Sequence, residues 1–123
     1  MNPKPLTATQ IKQFSSKVAN GRLKRVPIDL TKAEMFLDKA SEALAEFTNI
    51  SSTGVLYDTA YTVCHDVGEA AMAAYGFRTS PFDDLRRSRN SRLYGAKPIG
   101  KSLSTLGVQT ARALFVEAKI QLN

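Results

Sequence analysis

Apolar residues recur three and four positions apart along most of the chain, and short stop signals divide that rhythm into helices. Thr7 and Gln10 have the spacing of a capping box ahead of Ile11, Phe14 and Val18. They predict a short helix that Asn20-Gly21 ends, followed by an irregular linker from Arg22 to Leu30 that contains Pro27. Thr31 and Glu34 repeat the box, and Ala33, Phe36, Leu37, Ala40, Leu44 and Phe47 then form the clearest apolar stripe in the chain. Ser51-Ser52-Thr53 offers the next N-cap, for a longer helix reaching about Tyr75 with Leu56, Ala60, Val63, Val67, Ala71 and Ala74 inward. Gly76 is placed as its left-handed terminator, with Phe77 folding back.

A further helix opens at Ser80 with consistent chemistry. Ser80 caps, Pro81 fills the first turn, and Asp83 and Asp84 complement the positive helix end. Phe82, Leu85, Arg89 and Leu93 share one stripe of it. Gly95 to Gly100, with Pro98, breaks the chain before a last helix from about Ser102 through Leu103, Leu106, Ala111, Leu114, Ala118 and Leu122. No alternating pattern predicts a strand. The expected fold is all-α: an up-and-down four-helix bundle over residues 31–123, preceded by a basic N-terminal arm, residues 1–30, with a short helix and a linker.

A chain of 123 residues suits one domain with a real core. It shows no apolar run that would predict a signal peptide or a membrane span. The single Cys64 forms no internal disulfide, which fits a reducing, cytoplasmic setting, and one Cys with one His argues against structural zinc. No metal or cofactor is expected.

The net charge of +6 is uneven. Residues 1–28 carry Lys4, Lys12, Lys17, Arg22, Lys24 and Arg25 without an acid, residues 29–81 sum to −5, and residues 82–101 sum to +4. Two basic blocks flanking an acidic middle attract a polyanion such as RNA, or else neutralise the acidic helices of the same molecule or of a twin subunit.

Arg89 falls on an inward stripe, where a guanidinium is expensive unless an anion meets it or its stem packs while its head reaches water. Asn90 follows it, and Tyr94 stands at the helix end beside Gly95. An arginine fork with a phenol hydroxyl suits a phosphate group, although the Tyr94 ring could equally pack under the last helix. Asp58 is a candidate partner for Arg89, or a solvated aspartate near a helix start. His65, the one side chain titrating naturally near neutrality, shares the more polar side of its helix with Asp58, Tyr61, Thr62 and Glu69. Its two readings are a proton carrier and a surface histidine. Cys64 has apolar neighbours and no basic partner in sequence, so it reads as inert.

Three segments resemble a small stand-alone HEPN domain: Asn20-Gly21-Arg22-Leu23-Lys24-Arg25, Leu56-Tyr57-Asp58-Thr59-Ala60-Tyr61 leading to Ala74-Tyr75-Gly76-Phe77-Arg78, and Leu85 through Gly95. With the closing helix the likeness spans roughly residues 20–122. The resemblance implies a helical homodimer with a positive cleft between its copies, and a metal-independent endoribonuclease of toxin–antitoxin or phage-defence type. Arg89-Asn90 matches the front of the family's arginine motif, but Tyr94 stands where the motif histidine is expected. A second registration sets Arg87 as the motif arginine and Arg92 in the histidine slot, against the outward phase of Arg87. The resemblance thus gives Arg89, Asn90 and Tyr94 as the catalytic set and Arg86, Arg92, Lys97 and Lys101 as RNA contacts, with Asp58 and His65 in support. RNA, a second copy, and an antitoxin or other acidic protein are the implied partners. A non-catalytic RNA-binding module and a helical adaptor for an acidic protein are the alternatives.

Overall fold

The computed structural model describes residues 1–79 and 100–123. Among the described residues the chain is mostly helical, with four α-helices and one small antiparallel sheet. In order these are α1 (Ala8–Ala19), β1 (Leu23–Arg25), α2 (Leu30–Glu46), a single 3-10 turn (Phe47–Asn49), α3 (Thr53–Tyr75), β2 (Phe77–Thr79) and α4 (Lys101–Leu122). The helix expected from Ser80 to Gly95 lies outside the described residues.

The capping box of α1 forms as its sequence predicts. The Thr7 hydroxyl accepts from the Gln10 amide at 3.2 Å, and the Gln10 side chain accepts from the Thr7 amide at 2.8 Å. The second expected box, Thr31 with Glu34, does not cap α2. Asp29 takes that place, its carboxylate accepting from the Lys32 amide at 2.9 Å, and the helix opens at Leu30. A carboxylate at the N-cap meets both the open amides and the positive helix end, so Asp29 outcompetes the threonine two residues on. Ser52 caps α3, as one of the three residues offered there.

The stretch read as an irregular linker holds a strand. Leu23, Lys24 and Arg25 pair with Thr79, Arg78 and Phe77. Three residues are too few for alternation to be legible, and the pairing joins residues 52 to 56 positions apart. Its hinge is Gly76, which ends α3 at φ 82° as expected. The Val26 amide donates to the Gly76 carbonyl at 2.9 Å, and the Asp29 amide to that of Ala73 at 3.0 Å. The start of α2 is thereby fastened to the end of α3, and the two helices run antiparallel. Phe14 of α1 stacks on Phe77 of β2, with ring centroids 4.6 Å apart and planes within 8°. That stack ties the first helix to the two-stranded ribbon.

The core is small-residue packing around α3. Ala33, Leu37 and Ala40 of α2, with Phe47, meet Ala60, Val63, Val67, Ala70, Ala73 and Ala74 of α3, while Ala111, Ala118 and Leu122 of α4 close it. The stripe expected on α3 is found but is broader, since Asp66, Ala70 and Ala73 are buried too and Ala71 is only half-buried. α3 packs against two helices, so its buried arc exceeds one face. On α4 the expected stripe is partly displaced. Ala111, Ala118 and Leu122 are buried, but Leu103, Leu106 and Leu114 are exposed and Ser104 takes an inward position. Period alone does not say which of two overlapping stripes meets α3.

α3 and α4 run parallel. Gly107 sits against Tyr57 and Ala60 near the start of α3, and Gln121 donates to the Tyr75 hydroxyl at its end. The N-terminal tail closes that end. The amides of Asn2 and Lys4 donate to the carbonyls of Leu122 and Gln121, each at 2.9 Å, and the Tyr75 hydroxyl donates to the Lys4 carbonyl at 2.6 Å. Carbonyls that a helix end leaves without partners are thus taken up by the first residues of the chain. Among the described residues no helix is long and apolar enough to cross a membrane.

Gly76 supplies a test of this arrangement. A Cβ there would lie 2.8 Å from the Val26 carbonyl oxygen, in a backbone conformation that L residues avoid. Gly76→Ala is expected to lower unfolding free energy by about 1–3 kcal/mol, read by urea denaturation.

Candidate functional site

Of the residues singled out in the sequence, Arg86, Arg89, Asn90, Arg92, Tyr94 and Lys97 lie outside the described residues. Lys101, Asp58 and His65 are placed. Because α3 and α4 are parallel, Asp58 and Lys101 stand at the same end of the molecule, one in the early turns of α3 and the other as the first residue of α4. Both are exposed, and no ion pair joins them. Gly100, at the N-cap of α4, provides no side-chain cap. The first-turn amides therefore stand beside the Lys101 ammonium, a combination that favours an anion.

Between these two helix starts lies a groove of about 220 Å³, lined by Tyr57, Tyr61, Cys64, Leu103, Leu106 and Thr110. It continues past Cys64 into a wider one of about 540 Å³, walled by Gly68 and Ala71 on α3 and by Leu114 and Ile120 on α4. The leucines missing from the core of α4 are thus the wall of an apolar trough.

His65 lies further along α3, about one-third exposed. Its Nδ1 is 3.5 Å from a carboxylate oxygen of Asp66, and its Nε2 is 3.5 Å from one of Glu69. Both ring nitrogens are directed at carboxylates of its own helix, so neither is turned to an incoming hydroxyl. Asp66, at 5% exposure, is the one buried ionisable side chain among the described residues. Sequence reasoning passed over it. The available signal was its place in the run Val63-Cys64-His65-Asp66-Val67, where an acid interrupts apolar neighbours.

Burial pushes the Cys64 thiol above its ordinary range, the backbone hydrogen bond at the residue opposing this more weakly. The thiolate is the reactive form, so the inert reading of Cys64 fits its surroundings.

A second feature that sequence reasoning did not assemble is the outer face of the β1–β2 ribbon. Lys24 and Arg78 are direct cross-strand partners, and both are exposed. Leu23 and Phe77 are buried, and the Arg25 guanidinium stands 5.4 Å from the Phe77 ring centroid. Like charges directly opposite one another on a strand pair repel. Only the strand register shows them as a pair, because 53 residues separate Lys24 from Arg78 in sequence.

Among the described residues no lysine or arginine side chain lies in an ion pair with a carboxylate. The pairs formed are those of His65 and of the N-terminal ammonium with Glu34 at 3.8 Å. No family model, curated protein or solved structure matches the chain.

The Cys64 geometry is open to test. Burial raises the pH at which the thiol ionises, so less thiolate is present at pH 8 than in a free cysteine. Alkylation by iodoacetamide at that pH is expected to run several-fold slower than with glutathione and to reach the glutathione rate in denaturant.

Proposed function

We propose that the chain is a HEPN-like helical bundle that acts on RNA: a nuclease-derived domain, homodimeric, with cleavage weak or lost, in a toxin–antitoxin or phage-defence setting. The observation that carries the reading is the unpaired state of the basic N-terminal block. The acidic residues of α2 and α3 leave Lys12, Lys17, Arg22, Lys24 and Arg25 without ion-pair partners among the described residues. The positive charge is therefore not consumed by internal neutralisation and remains for an external polyanion. Lys101 at the uncapped start of α4 adds a contact point of the same sign.

On this reading Arg89 stabilises phosphate charge, Asn90 and Tyr94 hold the neighbouring oxygens, and Arg86, Arg92, Lys97 and Lys101 follow the backbone. Attack of a 2′-hydroxyl also requires a proton acceptor. Tyr94 is a poor one, since a phenol with pKa about 10 is roughly one part in a thousand ionised at neutral pH. Each ring nitrogen of His65 faces a carboxylate oxygen at 3.5 Å. That pair of facts favours binding over turnover.

Binding to a single-stranded RNA is expected to weaken by about one to two decades between about 50 and about 200 mM salt, with little dependence on sequence. Absence of binding at the lower salt would overturn the RNA reading in favour of an adaptor for an acidic protein. Cleavage in chelator is expected to be slow in the wild type and absent in Arg89→Ala. Equal cleavage by both would remove Arg89 from the mechanism.

A further inference from the structure

We infer that the outer face of the β1–β2 ribbon, with the hollow beside it, is a seat for the sugar–phosphate backbone of single-stranded RNA, separate from the arginine segment. The inference rests on the RNA reading and adds a contact surface to it. Lys24 and Arg78 are held opposite each other by the strand register, with side-chain bases about 5 Å apart at the Cβ atoms. Neither meets a carboxylate among the described residues. Two cations fixed side by side without an acid repel each other in the free protein, and a bridging phosphate removes that repulsion.

The adjoining hollow supplies room and a third cation. It has a volume of about 310 Å³, with Val26, Pro27 and Ile28 on one side and Arg78 and Lys32 at its polar edge. The one carboxylate there, Asp29, is engaged in capping α2 through the Lys32 amide. Arg78 is shared by the outer face and the hollow, so one strand of backbone can run from Lys24 past Arg78 toward Lys32.

The ribbon also limits what is recognised. Phe77 is 6% exposed and is covered by Phe14, so no open aromatic face is offered to a base. Contacts are therefore to phosphate, and the seat discriminates little among sequences. Its rigidity comes from residues remote from the ligand: the Gly76 hinge and the Phe14–Phe77 stack.

The test is equilibrium binding of a fluorescent single-stranded oligouridylate to the full chain across a salt series. Lys24→Gln with Arg78→Gln is expected to weaken binding about tenfold at low salt and to flatten the log–log salt slope by about 1.4, the value for two lost phosphate contacts on a single strand. A control removing equal charge from exposed positions outside the RNA surfaces, Lys39→Gln with Lys119→Gln, is expected to lose clearly less. The Lys24/Arg78 variant should melt no lower than the wild type, since it removes a repulsive pair, so lost binding reads as lost contact. Wild-type binding with an unchanged affinity and slope in the Lys24/Arg78 variant would overturn the seat and leave the RNA reading standing. Equal losses in the two double variants would overturn it as well, by showing a diffuse charge effect. Failure of the wild type to bind at low salt would overturn both.

Discussion

The rest of the structure depends on how closely α2 and α4 approach α3. Alanines provide that approach: Ala33 and Ala40 on α2, Ala60, Ala70, Ala73 and Ala74 on α3, and Ala111 and Ala118 on α4 are all buried. Small side chains bring helix axes together, and close-packed atoms then supply dispersion contacts that larger, looser packing forfeits. Gly107 lies at a close α3–α4 approach, where a Cβ would stand 3.3 Å from the Tyr57 ring. The same economy of volume has a consequence for the surface. Where α3 offers Gly68 and Ala71 opposite Leu114 of α4, the space is not filled, and the wider groove follows.

A second constraint joins the two ends of the described chain. Gly76 turns the chain out of α3 into β2, β2 recruits β1, and the amides of Val26 and Asp29 fasten the entry of α2 to the exit of α3. The first four residues then engage the last turn of α4 through Tyr75 and Gln121. The N-terminal stretch is therefore bonded into the helical body at two places, the β1–β2 ribbon and the end of α4. Its basic residues are displayed on a fixed frame. A charge held in place costs less ordering entropy on meeting a ligand than one on a loose tail.

Charge and geometry meet on that frame. The acidic middle of the chain and its basic start are parts of one body, yet their side chains do not pair among the described residues. Such separation produces a surface with a lasting field instead of a neutralised one. The imidazole of His65 is the exception, standing 3.5 Å from a carboxylate oxygen of Asp66 and of Glu69.

Local chemistry was legible in the sequence wherever the deciding interaction spans a few residues. The Thr7–Gln10 box, the Ser52 cap, the left-handed Gly76 and the apolar face of α2 all belong to that class, because a helix period and its caps are set within one or two turns. The replacement of Thr31 by Asp29 as the cap of α2 was a contest between near neighbours, decided by the carboxylate's match to the open amides and the positive helix end. The β1–β2 pairing, the burial of Asp66, the outward turn of Leu103, Leu106 and Leu114, and the meeting of Lys24 with Arg78 were settled only in three dimensions. Each depends on a partner many residues away, and the arginines from Arg86 to Arg92, on which the catalytic expectation rests, are placed by the sequence pattern alone. A pattern along one chain records which faces are apolar. It does not record which other face each one meets.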